Sequence, residues 1–344
     1  MSHFAGADAA STSTGTVGVN GPDNIPGALA NTVLGPVPAA DLGVVAVHEA
    51  LLSVVPGAEH APDISMDRAE IFETLAGKLT DFRKHGGGAV VDSTGMFHGR
   101  DLPLHEALSR ATGVHIIAST GMGPEEMLGG YFLTPQTNPP TPWPADKFAD
   151  LFSKEVTEGM VVPRVERRGA AGLVATAAAR SGITPTEESL FRGAANTSLA
   201  TGVPVSIRFG TDAVRELDLV LVENLPADRV LVGGLDRKDA AGAALEVARR
   251  GAFVGIDHVG STGGDVIDDE ARAALVLELV QAGHADRIIL SANAVGVAKG
   301  QPDYDVPYSY VLSTFMPLLS SRGLSDEDAR RILTDNPQAL LTVR

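Results

Sequence analysis

The chain has no cysteine, which excludes disulfides, thiolate metal sites and a thiol nucleophile. That absence leaves the compartment open, with a bacterial cytosol as the default. Positive charge is scarce: the formal net charge is -16 and the pI is about 4.9. Nucleic-acid backbones and anionic membranes both require a basic face, so small molecules or proteins are the expected partners. No apolar run reaches the roughly 18 residues of a membrane span. Residues 1–30 are rich in Ser, Thr, Gly and Ala and lack the basic start and apolar block of a signal peptide. They read as a loose tail ahead of a single domain over residues 31–344.

What is present is enough apolar material for a large core, 44% of 344 residues. Short β-branched runs alternate with amphipathic stretches, the pattern of βα units on a parallel sheet. Eight such runs occur: Val44–Val47, Ala89–Asp92, Val114–Ala118, Ala171–Val174, Val203–Ile207, Arg229–Val232, Ala252–Ile256 and Arg287–Leu290. Between the first two, Asp67–His85 carries Ile71, Leu75, Leu79 and Phe82 on one helical face and stops at Gly86. Thr184-Pro185-Thr186-Glu187 spells a capping box with proline at the first helical position. The expected fold is α/β, one closed (β/α)8 TIM barrel. A long third loop, Gly121 to Asp146, holds Pro135, Pro139, Pro140, Pro142, Pro144 and the single tryptophan, Trp143. It reads as a lid over the barrel mouth or as a rigid excursion.

Chemistry in such a barrel sits at the C-terminal ends of the strands. Those ends read His48-Glu49-Ala50, Asp92-Ser93-Thr94, Ser119-Thr120-Gly121, Ala175-Thr176, Arg208-Phe209, Gly234-Leu235-Asp236, Asp257-His258 and Ser291-Ala292-Asn293. Longer segments accompany them: Asn31-Thr32-Val33-Leu34-Gly35-Pro36, Gly99-Arg100-Asp101, Ser109 to Gly121, Ser198 to Val205, and Asn336-Pro337. Together they resemble the phosphotriesterase family of the amidohydrolase superfamily, from about Asn31 to the C-terminus.

The resemblance implies a barrel of the amidohydrolase type with a binuclear metal centre. Its ligands would be a His-x-His pair on the first strand, a carboxylated lysine on the fourth, one histidine each on the fifth and sixth, and an aspartate on the eighth. Only His48 matches; Ala50, Ala175, Arg208, Gly234 and Asn293 stand at the other five positions. Alanine and glycine supply no ligand atom, and arginine carries a fixed charge that repels a divalent cation. Three or four N, O or S donors are needed in one shell. The barrel is expected to hold no metal and no cofactor.

The resemblance makes Asp257-His258 a proton relay, and a histidine suits proton transfer near neutrality. The alternative is a hydrogen-bond knot kept for stability, and Asn293 removes the relay's usual aspartate terminus. Arg208 reads either as a clamp for a substrate carboxylate or phosphate or as a structural countercharge to Asp257 or Asp92. His48 is a second acid or base, or a satisfied strand-end histidine, and Glu49 should point away from the barrel axis. Substrate contacts are assigned to Arg208, Asn293, Trp143 and Asp236. The expected function is a metal-independent lyase, isomerase, cyclase or hydrolase acting on a small anionic substrate. The alternatives are a catalytically silent relative that binds a ligand or partner, and an ordinary metal-dependent phosphotriesterase or lactonase. The resemblance also implies a homodimer.

Overall fold

All eight runs form strands of one sheet in a computed structural model, which describes residues 28–127, 142–162, 166–240, 242–304 and 306–344. In chain order the strands are β1 (Leu29–Thr32), β2 (Gly35–Pro38), β3 (Val44–Val54), β4 (Gly87–Asp92), β5 (His115–Met122), β6 (Met160–Val162), β7 (Glu166–Arg168), β8 (Leu173–Ala177), β9 (Val205–Arg208), β10 (Val230–Gly233), β11 (Phe253–Ile256), β12 (Ile288–Leu290) and β13 (Val295–Lys299). The sheet runs β12-β11-β10-β9-β8-β5-β4-β3-β13, with parallel neighbours throughout. The eighth unit enters as two segments. β12 pairs with β11 and β13 with β3, so the ring closes as a TIM barrel.

Strand periodicity divides the core in two. Val45, Val47, Ala89, Val91, Ile117, Leu173, Leu231, Phe253 and Ile289 point to the axis and pack together. Their neighbours in sequence, such as Ala46, Val90, Ile116, Val174, Val232, Val254 and Ile288, pack outward against the helices. Hairpin β1–β2 and the C-terminal segment contribute Ala30, Leu340 and Leu341 to the axial cluster.

The helices are α1 (Arg68–Lys84), α2 (Leu102–Thr112), α3 (Ala145–Thr157), α4 (Pro185–Thr201), α5 (Ala213–Leu221), α6 (Ala243–Arg249) and α7 (Asp269–Gln281), followed by C-terminal helical segments. α1 buries Ile71, Leu75, Leu79 and Phe82 and is capped by Asp67, whose Oδ1 accepts from the Ala69 and Glu70 amides. α4 carries the complete capping box of Thr184 and Glu187.

Several family-like segments turn out to be frame. In Gly99-Arg100-Asp101, Asp101 caps α2, and Arg100 grips Glu155 of α3 in a buried two-pronged pair at 2.6 and 2.8 Å. A Cβ at Gly99, where φ is 110°, would run into the Leu52 carbonyl. Ser109 and Ser198 play matching parts. Each hydroxyl donates to the carbonyl that opens the next strand, Val114 or Val203, after a left-handed glycine, Gly113 or Gly202. Asn336 donates to the Ala285 and Ile288 carbonyls at 2.8 and 2.7 Å, which ties the C-terminal segment to the base of β12.

Residues 1–27 of the expected tail lie outside the described residues, whereas Leu29 and Ala30 already belong to β1. Residues 128–141 of the expected lid also lie outside them. Trp143, described, packs on Phe148 of α3 with ring centroids 5.5 Å apart.

Candidate active site

A cavity of about 580 Å³ opens at the C-terminal strand ends, and its lining includes His48, His98, Arg208, Asp257, His258 and Asn293. The strand alternation that builds the axial core also delivers these groups. His48 lies within β3, Arg208 ends β9, and the others lie in the loops that follow their strands.

Adjacent residues Asp257 and His258 separate at the end of β11. The imidazole of His258 bonds through Nδ1 to Asp236 Oδ1 at 2.7 Å, while its backbone amide donates to Asp236 Oδ2 at 2.9 Å. Arg272, fully buried on α7, donates its Nε to the same Oδ2 at 2.7 Å. Burial alone would raise the Asp236 carboxyl, but His258 and Arg272 hold it below the usual carboxylate range. The result is a fixed Asp236–His258 dyad in which Nδ1 is committed and Nε2 has no partner among the described residues. Asp236, expected to contact substrate, stands behind His258, outside the cavity lining, and holds the His258 ring.

Asp257 turns the other way. Its Oδ2 accepts from the Gly234 amide at 2.7 Å and lies 3.3 Å from His48 Nδ1, while Oδ1 is buried without a partner. Burial, reinforced by the charge of Asp236, pushes Asp257 up to about 7. Burial, reinforced by Arg208 and His258, pushes His48 down to about 3. Between about pH 3 and about pH 7 the two form a carboxylic acid beside a neutral imidazole. The expected Asp257–His258 relay is therefore replaced by two separate pairs, Asp236–His258 and His48–Asp257.

Arg208 ends β9 and is exposed to the cavity. Its guanidinium has no hydrogen bond or ion pair among the described residues. Asp92 is occupied elsewhere, accepting from the Leu51 amide at 3.0 Å and from Thr94. Asp92 is therefore no partner of Arg208, but the charges of Arg208 and Asp257 act on each other without contact, each favouring the other's charged form. Its neighbour in the mouth, Arg237, is satisfied: it lies 3.9 Å over the Phe209 ring and bonds the Phe209 and Gly210 carbonyls and Asp239. Sequence reasoning passed over Arg237, and nothing in its spacing marks it.

Asn293 sits at φ 47°, a left-handed conformation that asparagine tolerates. Glu49 points away from the axis and holds that turn from behind. Its two carboxylate oxygens accept from the amides of Ala292 and Ala294, on either side of Asn293. Burial pushes Glu49 up to about 8 against those two bonds. Trp143 does not appear among the residues lining the cavity.

Gly233 pairs with Arg208, and a Cβ built there would overlap Asp257 Oδ2 and lie 3.1 Å from His48 Nδ1. A Cβ at Gly234 would face Arg237, Phe209 and His258 instead. Asp257 thus fills the space a side chain at Gly233 would take, while Gly234, the expected sixth-strand position, lines the cavity. With Ala50 and Ala175 on the lining and a guanidinium at 208, the residues present do not fit a binuclear metal centre. Among the described residues no group of three or more His, Asp or Glu side chains is arranged to hold a metal ion.

The resemblance extends to known proteins. A family model described as "Phosphotriesterase family" matches residues 28–341. A phosphotriesterase homology protein of Mycobacterium tuberculosis is 26% identical over 324 residues, covering 90% of this chain and 96% of that protein. An N-acetyltaurine hydrolase of Tetraodon nigroviridis is 29% identical over 286 residues, 79% of this chain and 78% of its own. In structure, a variant of a phosphotriesterase-like lactonase from Deinococcus radiodurans superposes with a TM-score of 0.80 at 25% identity, covering 91% of this chain and 99% of that one. Barrel, strand-end pattern and a match over almost the whole described chain agree: the protein belongs to the phosphotriesterase family.

Proposed function

We propose that this barrel is a metal-independent enzyme acting on a small anionic substrate. The observation that supports it is Arg208: an unpaired guanidinium facing a cavity of about 580 Å³, at a strand end where the family resemblance implies a metal ligand. A permanent cation there can clamp a carboxylate or phosphate, or stabilise an oxyanion as it forms. His258 is the acid-base group. Asp236 accepts its Nδ1–H and fixes the tautomer, so Nε2 takes or gives the proton, the division of labour seen in Asp-His pairs generally. His48 with Asp257 provides a second, neutral pair on the opposite side of the Gly233 backbone. This equipment suits lyase, isomerase, cyclase or hydrolase chemistry, and the hydrolase and lactonase names of the relatives support the last of these. The resemblance also supports a homodimer, and a cysteine-free chain is compatible with the cytosol.

The test is elemental analysis of the purified protein after incubation with excess Zn, Mn or Co and desalting. Well under about 0.1 metal ion per chain is expected, and near-stoichiometric retention would overturn the reading. Replacement of the implied ligands at five positions favours one second reading, a silent barrel that binds a ligand. Once a ligand is found, incubation with the wild-type protein decides between them: a silent barrel returns it unchanged, whereas an enzyme converts it, and His258→Gln then loses turnover and keeps binding.

A further inference from the structure

Arg180, in the loop after β8, has no role in the scheme above, yet it lines the same cavity as Arg208. Its half-exposed guanidinium meets two carboxylates, Asp265 in direct contact and Asp239 at 3.7 Å. Asp239 is already gripped by Arg237 at 2.9 and 2.6 Å, which leaves Asp265 as the main partner. Asp265 belongs to the loop after β11 and also lines the cavity. In the sheet, β8 and β11 flank β9 and β10, so this ion pair joins the loops on either side of the strand that ends in Arg208. Both loops are fastened there: the Ala178 amide donates to the Arg208 carbonyl at 3.0 Å, and the Lys238 amide donates to the Asp265 carbonyl at 2.7 Å. The charges of Arg180 and Asp265 both bear on Arg208, in opposite senses. Arg180 is thus a second cation near the first, and its partner is even more exposed than it is. Water and salt screen such a pair, so it adds little stability and a ligand carboxylate can replace Asp265 at small cost.

We infer that Arg180 is a specificity-determining residue, and that the ligand of this cavity carries two separate acidic groups, an inner one on Arg208 and an outer carboxylate that takes the place of Asp265 on Arg180. The outer group is a carboxylate because it succeeds one. Dicarboxylates have this chemistry. A monocarboxylate fills the Arg208 site alone and leaves Arg180 with Asp265, so the second cation discriminates between the two classes. The inference rests on the reading of Arg208 as the anion site.

Succinate, glutarate and adipate test it, each against the monocarboxylate of equal chain length, butyrate, pentanoate or hexanoate. Calorimetric titration of the full chain at fixed ionic strength should show the best-matched dicarboxylate binding at least about 10-fold tighter than its monocarboxylate, the worth of one hydrogen bond to a charged group. In Asp265→Asn, which frees Arg180 from its competitor, that ratio should rise by up to about 5-fold, the ceiling for an exposed pair. In the double variant Arg180→Gln with Asp265→Asn, which leaves the net charge unchanged, the ratio should fall toward one. A ratio near one for all three dicarboxylates in the wild-type protein overturns the inference, as does a ratio that persists in the double variant. A ratio that falls in Asp265→Asn also overturns it, since Asp265 would then belong to the site and not hold its place. Binding that survives unchanged in Arg208→Met, or no binding of either class, overturns the Arg208 reading itself.

Discussion

Asp236→Asn offers the sharpest test of the site's construction. Asp236 accepts three hydrogen bonds, from His258 Nδ1, the His258 amide and Arg272 Nε, and neither Asp236 nor Arg272 has side-chain exposure. Asparagine keeps the shape, removes the charge and turns a donor toward one of those donors. Breaking one side of a buried ion pair costs about 3–5 kcal/mol, because the other charge is left uncompensated. Arg272 retains Asp269 at 2.7 Å, which places the expected loss near the lower end, about 3 kcal/mol. Urea denaturation measures it, as a lower midpoint at unchanged slope. Arg272→Met should also be destabilising. The double variant Asp236→Asn with Arg272→Met should lose about 2 kcal/mol less than the two single losses added together, since no lone charge remains. A loss below about 1 kcal/mol for Asp236→Asn, or strict additivity in the cycle, would refute the account of His258 as a ring held by a buried ionic brace.

Three other outcomes are expected. Arg208→Met should be neutral or stabilising by up to about 1 kcal/mol, as removal of an unpaired cation from a site kept for function; a loss above that would reveal a structural partner. Asp257 has a folded value near 7 against 3.8 for the ordinary group, so the folded chain keeps a proton that the unfolded chain releases. Its contribution to stability is therefore full below pH 3.8 and declines as pH rises to about 7, by at most about 1.4 kcal/mol per pH unit. His48, pushed down to about 3, contributes in the opposite sense as pH rises to 6.5. Comparing wild type with Asp257→Asn from pH 4 to 8 should show the wild type's relative stability falling with pH, and a flat or rising difference contradicts the assignment. Gly233→Ala should cost about 1–3 kcal/mol because its methyl would overlap the Asp257 carboxyl. Combining it with Asp257→Ala should recover part of that loss, and full additivity in thermal melts would count against the overlap.

The barrel was legible because its strands announce themselves. Runs such as Val44–Val47 and Ala252–Ile256 are apolar and β-branched, lie between turn residues, and recur at βα spacing. Hairpins β1–β2 and β6–β7 were not, since strands of four and three residues carry too little alternation to stand out. The eighth unit's division into β12 and β13 was hidden as well, because Ser291 to Ala294 is held by the Glu49 side chain and not by a pattern in the backbone sequence. The residue types of the site were readable one by one, but their partnerships were not. Asp257 and His258 are neighbours in the chain that face different partners, and Asp236 lies 22 positions from the histidine it holds. Trp143 looked like a binding residue because it stood alone among prolines, yet its described contact is with a helix.

Glu49, on the first barrel strand, ties that strand to the turn between β12 and β13 through the amides of Ala292 and Ala294. The seam of the barrel and the bend that presents Asn293 are thus fastened by one carboxylate. Opening the seam there would tilt a cavity-lining amide and loosen the neighbouring His48 together. The amides of Ala292 and Ala294 are consequently a natural gauge: their rate of hydrogen exchange reports how often the ring comes unlatched beside the cavity.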